Sequence, residues 1–160
     1  RIATLEVDPL HVIIARNVIA FAGLSHVIDV WTGHSQELLP RLAQRWHGQG
    51  PRLRGVFMDQ RGSRYEADLE LLERHDMLKA GAVVVADNVL KPGAPLFLWH
   101  VLKDEAYNTE IVQVREFAMP AEDWLSVSTF KSKERESSGP PPPPPELLWL
   151  RQESDRMRRR

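Results

Sequence analysis

Asp59 closes the run Leu53-Arg54-Gly55-Val56-Phe57-Met58, and Asp87-Asn88 closes the run Ala82-Val83-Val84-Val85-Ala86. A short β-branched run bounded by turn residues reads as a buried parallel strand. Acids and amides at the carboxyl ends of such strands sit where open α/β sheets bind their ligands. Two strand-end carboxylates with an amide beside the second offer an all-oxygen ligand set. Hard divalent cations such as Mg2+ favour that set and keep open positions for water or substrate oxygens. A strand-end Asp also serves as a helix cap or a turn residue, so residue types alone leave both readings of Asp59 and Asp87 standing.

A corner of this kind needs a sheet to hold it, and the elements supply one. Ile2–Val7 reads as a strand. Asp8 then reads as an N-cap with Pro9 in the first helical position. The helix runs through Val12, Ile13, Val18 and Ile19 and stops at Gly23. Val27–Trp31 is a strand and Ser35–Trp46 a helix. The strand Leu53–Met58 is followed by a helix from Arg64 to about His75, the strand Ala82–Ala86 by a helix from Pro95 to about Lys103. Glu110–Phe117 and Trp124–Phe130 are two strands in succession. Four β/α alternations and then a β–β pair predict an α/β sheet with an antiparallel edge.

Composition narrows the function classes. The 160 residues suffice for one domain, and there is no Cys for a disulfide framework, a thiolate zinc site or a thiol nucleophile. The net charge of −1 provides no global field for nucleic acid. No apolar run reaches about 18 residues, so no membrane span is expected in this chain. Arg1–Asp8 already reads as a strand with no initiator Met and no leader, as in a fragment that begins inside a domain. After Phe130 the composition shifts. Residues 131–160 carry eight basic and five acidic residues, a charge of +3 that leaves −4 on the rest. They include the unbroken run Pro140–Pro145 and end on three arginines. The expected organisation is a domain over 1–130 and a proline-rich tail over 131–160 with no packed structure, Leu147, Leu148, Trp149 and Leu150 excepted as one short helical turn.

Several motifs, taken in order, carry a resemblance. They are Leu5-Glu6-Val7-Asp8-Pro9, Gly33-His34-Ser35-Gln36-Glu37-Leu38-Leu39-Pro40, Met58-Asp59 with Arg64-Tyr65, and Asp87-Asn88-Val89 with Pro92-Gly93-Ala94-Pro95. Over residues 1 to about 130 the chain resembles the catechol O-methyltransferases, above all their transmembrane branch. The resemblance implies a Rossmann-like class I methyltransferase sheet with helices on both faces and an antiparallel C-terminal strand pair. It implies S-adenosylmethionine and Mg2+ as cofactors and a catechol hydroxyl as methyl acceptor, the chemistry of catecholamine metabolism and neurotransmitter degradation. It places the protein in the cytoplasm, with any membrane anchor upstream of this chain. By the family's sheet order 3-2-1-4-5-7-6 the first strand is missing. The first two strands here would then form one piece of sheet, and the remaining four another.

Position by position, Glu6 corresponds to the acid that holds the cofactor ribose, and Ser35 and Gln36 to the pair at the adenine. Asp59, Asp87 and Asn88 correspond to the three protein ligands of Mg2+, with Asp59 and Gln60 also toward the cofactor. Asn88 and Pro92 belong to the substrate side. Two positions depart from the pattern. Gly62 stands where the family has its lysine base, and Gln113 where it has the glutamate that holds the second hydroxyl. Glycine accepts no proton, and an amide hydrogen-bonds a hydroxyl without taking its proton. His34, His75 and His100 are candidate replacement bases. The catalytic residue itself is therefore unassigned. An alternative role follows from the same branch: a weak or inactive member that escorts a membrane channel protein in hearing cells.

Overall fold

The computed structural model describes residues 1–46, 52–115, 122–132 and 139–157. It divides into two units, Arg1–Gly50 and Pro51–Arg160.

The first unit is β1 (Ile2–Glu6), α1 (Pro9–Phe21), β2 (Ile28–Thr32) and α2 (Ser35–Trp46). β1 and β2 pair in parallel, from Ile2 opposite Ile28 to Glu6 opposite Thr32. The Asp8 carboxylate accepts from the backbone N–H of Leu10 at 2.8 Å and of His11 at 3.4 Å, which satisfies two donors that the helix start leaves unpaired. Gly23, at φ +71°, takes the left-handed turn just past α1. Leu38, Leu39, Leu42 and Ala43 form the buried stripe of α2 at helical spacing.

The second unit holds β3 (Leu53–Met58), a short 3-10 turn Gly62–Arg64, α3 (Tyr65–Arg74) and β4 (Leu78–Ala86). A five-residue helical turn Val89–Gly93, α4 (Pro95–Lys103), β5 (Tyr107–Arg115), β6 (Glu122–Phe130) and α5 (Pro145–Met157) complete it. The sheet order is β3-β4-β6-β5. β3 and β4 are parallel, and β6 runs antiparallel to both of its neighbours. The two sheets, β1-β2 and β3-β4-β6-β5, are the two pieces that the resemblance implies. The core of this unit gathers Met58, Leu69, Leu72, Val84, Ala86, Phe97 and Val101, all almost fully buried. Tyr65 meets Phe97 edge to face at 5.6 Å between ring centroids. Each such large apolar side chain stabilises the fold by about 1.5–3 kcal/mol.

The tail differs from its composition. A polar, proline-rich run offers no obvious packing face, yet Pro145–Met157 is helical and packs on α4, Val89–Gly93 and Gly62–Arg64. Leu147 and Ser154, seven residues apart, fall on the inward side of α5, and Ser154 is buried. The Trp99 indole N–H donates to the Pro141 carbonyl at 2.7 Å and fixes the proline strap ahead of the helix. The tail's last three residues lie outside the described residues.

Candidate active site at the strand ends

The ladder between β3 and β4 ends with Met58 opposite Ala86, and the Asp87 N–H extends it by donating to the Met58 carbonyl at 2.9 Å. Asp59 and Asp87 therefore leave the sheet side by side. Burial, and then the like charge of Asp87, raise the Asp59 carboxyl above its ordinary range. The Tyr65 hydroxyl donates to the Asp87 carbonyl at 3.1 Å and pins the backbone there. Asn88 stands at φ +53°, a left-handed backbone that costs a non-glycine residue energy and that clusters at functional sites. Its N–H donates to Asp87 Oδ1 at 2.8 Å, and its side-chain amide donates to Asp123 Oδ2.

Asp123 escaped the reading of the sequence. It lies buried at the start of β6, opposite Val114 of β5. The available signal was the pair Glu122-Asp123 at the head of an apolar alternation, since a strand turns one of two adjacent residues inward. Asp123 occupies the Asn88 amide hydrogens, which leaves the amide oxygen as that side chain's ligand atom.

Other expected site residues fall as follows. Gln60 follows Asp59 directly, and its amide donates to the buried Asp68 of α3 at 2.7 Å. Gly62 is buried at the first position of the 3-10 turn before α3. Pro92 is half-buried in the turn Val89–Gly93, after a cis peptide bond. Gln113 is exposed on the edge strand β5 opposite Trp124, on the other face of the ladder from Asp123. Of the candidate bases, His34 is exposed and His75 half-buried, while His100 is sealed in a separate cluster with Glu73.

In the first unit, the register that sets Glu6 opposite Thr32 brings Glu6 beside the turn into α2. The Gly33 N–H donates to the Glu6 carbonyl at 3.0 Å. Ser35 and Gln36 open α2 immediately beyond, Ser35 half-buried and Gln36 exposed. Glu6 Oε1 accepts from the Asp8 N–H at 2.8 Å, and His11 lies 3.8 Å from Oε2.

The donor set of Asp59, Asp87 and Asn88 fits a hard divalent cation. All of its atoms are oxygens, and the two carboxylates repel each other where a cation would relieve them. No described helix is long and apolar enough to cross a membrane.

Comparison with known proteins places the family and the fold. Residues 1–123 match the model of the O-methyltransferase family. The chain is 42% identical over 101 residues to a catechol O-methyltransferase of Sus scrofa, covering 63% of this chain and 53% of that protein. It is 41% identical over 99 residues to a transmembrane O-methyltransferase of Propithecus coquereli, covering 61% and 35%. The chain thus spans about half the length, or less, of these curated relatives. Among solved structures, an O-methyltransferase from Bacillus cereus in complex with SAH superposes with a TM-score of 0.72 at 20% identity, over 82% of this chain and 63% of that one.

Proposed function

Because the chain belongs to the O-methyltransferase family, we propose that the protein transfers a methyl group from S-adenosylmethionine to a catechol hydroxyl, with a divalent cation at the strand ends. The observation that carries this reading is the pairing of Asp59 and Asp87 at the ends of adjacent parallel strands, with the Asn88 amide tied to Asp123. The named relatives and the SAH complex of the Bacillus cereus enzyme support the substrate and cofactor classes.

Asp59, Asp87 and Asn88 hold the cation, and Asp123 and Tyr65 hold those ligands in place. Glu6 takes the ribose hydroxyls, Ser35 and Gln36 the adenine, and Gln60 lies toward the cofactor. Asn88 and Pro92 bound the catechol ring. When bound, S-adenosylmethionine supplies an activated methyl group, and Mg2+ lowers the pKa of the accepting hydroxyl. What remains for the protein is positioning. Gly62 supplies no base, and Gln113 takes no proton, so neither of these positions would remove the acceptor proton. Absence of a general base costs about 10²- to 10⁴-fold. Gly62 also favours a second reading, in which the fold serves as a binding partner of a membrane channel protein.

One assay tests both: methyl transfer from labelled S-adenosylmethionine to a catechol by the full-length protein. The wild type gives slow transfer, Asp87→Asn lowers it on the order of 10³-fold, and Gly62→Lys raises it by about 10²-fold. No transfer by either the wild type or Gly62→Lys favours the partner reading. A fast wild-type rate that Gly62→Lys fails to improve removes Gly62 from the base position.

A further inference from the structure

Away from the strand ends, Glu73 near the end of α3, His100 on α4 and Asp104 just past α4 converge in the interior. Their side chains are 5%, 5% and 1% exposed. His100 Nε2 lies 3.0 Å from Glu73 Oε1 and 3.8 Å from Asp104 Oδ2. One ligand atom from each of the three falls within 4.8 Å of the other two. We propose that Glu73, His100 and Asp104 form a structural site for a divalent transition ion of the zinc class. The site is separate from the strand-end corner and independent of the methyl-transfer reading.

Asp104 carries the inference beyond a hydrogen-bonded cluster. Its Oδ1 accepts from the Ala106 N–H at 2.8 Å, which fixes the carboxylate. Its Oδ2 is fully buried, accepts no hydrogen bond, and faces His100. A carboxylate oxygen left unmet in the interior is unfavourable unless a cation meets it. Charge points the same way. The two carboxylates bring negative charge to a buried imidazole, and a divalent ion would offset it.

Ligand chemistry selects the metal. One imidazole nitrogen with two carboxylate oxygens suits zinc-class ions, while Mg2+ prefers oxygen throughout and keeps its waters. Tetrahedral zinc ligands stand about 3.3–3.6 Å apart, between the two separations seen here. The Tyr107 hydroxyl donates to Glu73 Oε1 at 2.7 Å and orients it from behind, as outer partners of metal ligands do. Metal entry replaces the proton between His100 Nε2 and Glu73, and that proton leaves to solvent. Because the ligands are buried, the ion enters as the chain folds.

The test is metal content, by mass spectrometry, of the chain purified from zinc-supplemented cells. An Asp59→Asn/Asp87→Asn background removes the strand-end site. Stoichiometric zinc is expected in that background. Asp104→Asn, which keeps the shape, and His100→Gln, which keeps a donor for Glu73, each lower zinc affinity at least tenfold. Circular dichroism confirms that both variants fold. If neither folds, refolding the background chain with Co2+ decides: visible bands of a nitrogen- and oxygen-ligated ion support the site, and their absence overturns it. Trace zinc in the background chain, or full zinc in a folded Asp104→Asn, overturns it as well.

Discussion

Asp59, Asp87 and Asn88 stand at the open ends of two strands, whereas Glu73, His100 and Asp104 are sealed between α3, α4 and the start of β5. In the open corner, desolvation and then the like charge of Asp87 push the Asp59 carboxyl up. In the closed cluster, Glu73 accepts from two donors, the His100 imidazole and the Tyr107 hydroxyl. Burial and the negative charge of Glu73 hold that hydroxyl far above the usual phenol range, so it stays a donor. The difference separates two uses of carboxylates. A group whose neighbours raise its energy costs the fold something and is compensated by a ligand. In the closed cluster Glu73 has its donors and supports the fold, while the Asp104 oxygen that accepts no hydrogen bond is the atom left for an ion.

Substitution should break the two clusters in opposite ways. Glu73→Ala leaves the His100 and Tyr107 donors buried without their acceptor, and should destabilise the protein by about 3–5 kcal/mol. Against a typical total of about 5–15 kcal/mol, that can unfold it. Asp59→Asn removes a repulsion at an exposed position and should leave stability unchanged or slightly higher. Urea midpoints of the two variants measure the contrast. Equal losses would mean that the corner is as structural as the interior cluster.

How much of this could be read from residues alone follows the same division. β3 and β4 ended where the apolar runs met Asp59 and Asp87, because a turn-bounded strand leaves a plain signal in a sequence. The capping of α1 by Asp8, the bounds of α4 and the antiparallel final pair were legible for the same reason. Asp123 was not, because its role comes from a cross-strand neighbour of Asn88 that is 35 residues distant. The closed cluster was hidden too. His100 read as a candidate base, and only the packing of α3 on α4 and β5 brings Glu73 and Tyr107 to it. Of α5 only a turn at Leu147–Leu150 was legible, because its inward stripe, Leu147 and Ser154, is too sparse to register as a full amphipathic helix.

α5 supplies the next largest effect: it packs on α4, which carries His100, and on two turns beside the strand-end corner. The helix lies on Val89–Gly93 and Gly62–Arg64, the turns that follow the two strand-end acids. A Cβ added at Gly93 would come 3.3 Å from Ser154 Oγ, so the contact is close. Burial and then Glu70 raise the Glu66 carboxyl, and the Arg151 charge of α5 offsets part of that rise. Ending the chain after Ser138 should therefore cost about 1–2 kcal/mol, and a melting temperature falls several degrees for each kcal/mol. Amide exchange should rise in Val89–Gly93 and stay slow at the end of α3. An unchanged melting temperature would mean that α5 contributes nothing to the fold. Equal acceleration at both places would mean that the two clusters are not energetically separate.

The smallest expected effect is the dependence of the corner on pH. Asp59 titrates higher in the folded chain than its ordinary 3.8, so between those two values the folded state binds more protons than the unfolded one. Stability then falls as pH rises through that window, and the cost persists at neutral pH. Because Asp59 is exposed, solvent screens much of the effect. A cation on the ionised pair reverses the sign by binding the folded state alone. Added Mg2+ should leave the melting temperature unchanged at acid pH. With Mg2+ the temperature should begin to rise as pH climbs past the elevated Asp59 value and level off at higher pH. Asp59→Asn should abolish both the pH-dependent loss and the Mg2+ gain, while Glu73→Gln should abolish neither. A Mg2+ stabilisation that persists in Asp59→Asn would place the ion elsewhere and remove the strand-end corner as its site.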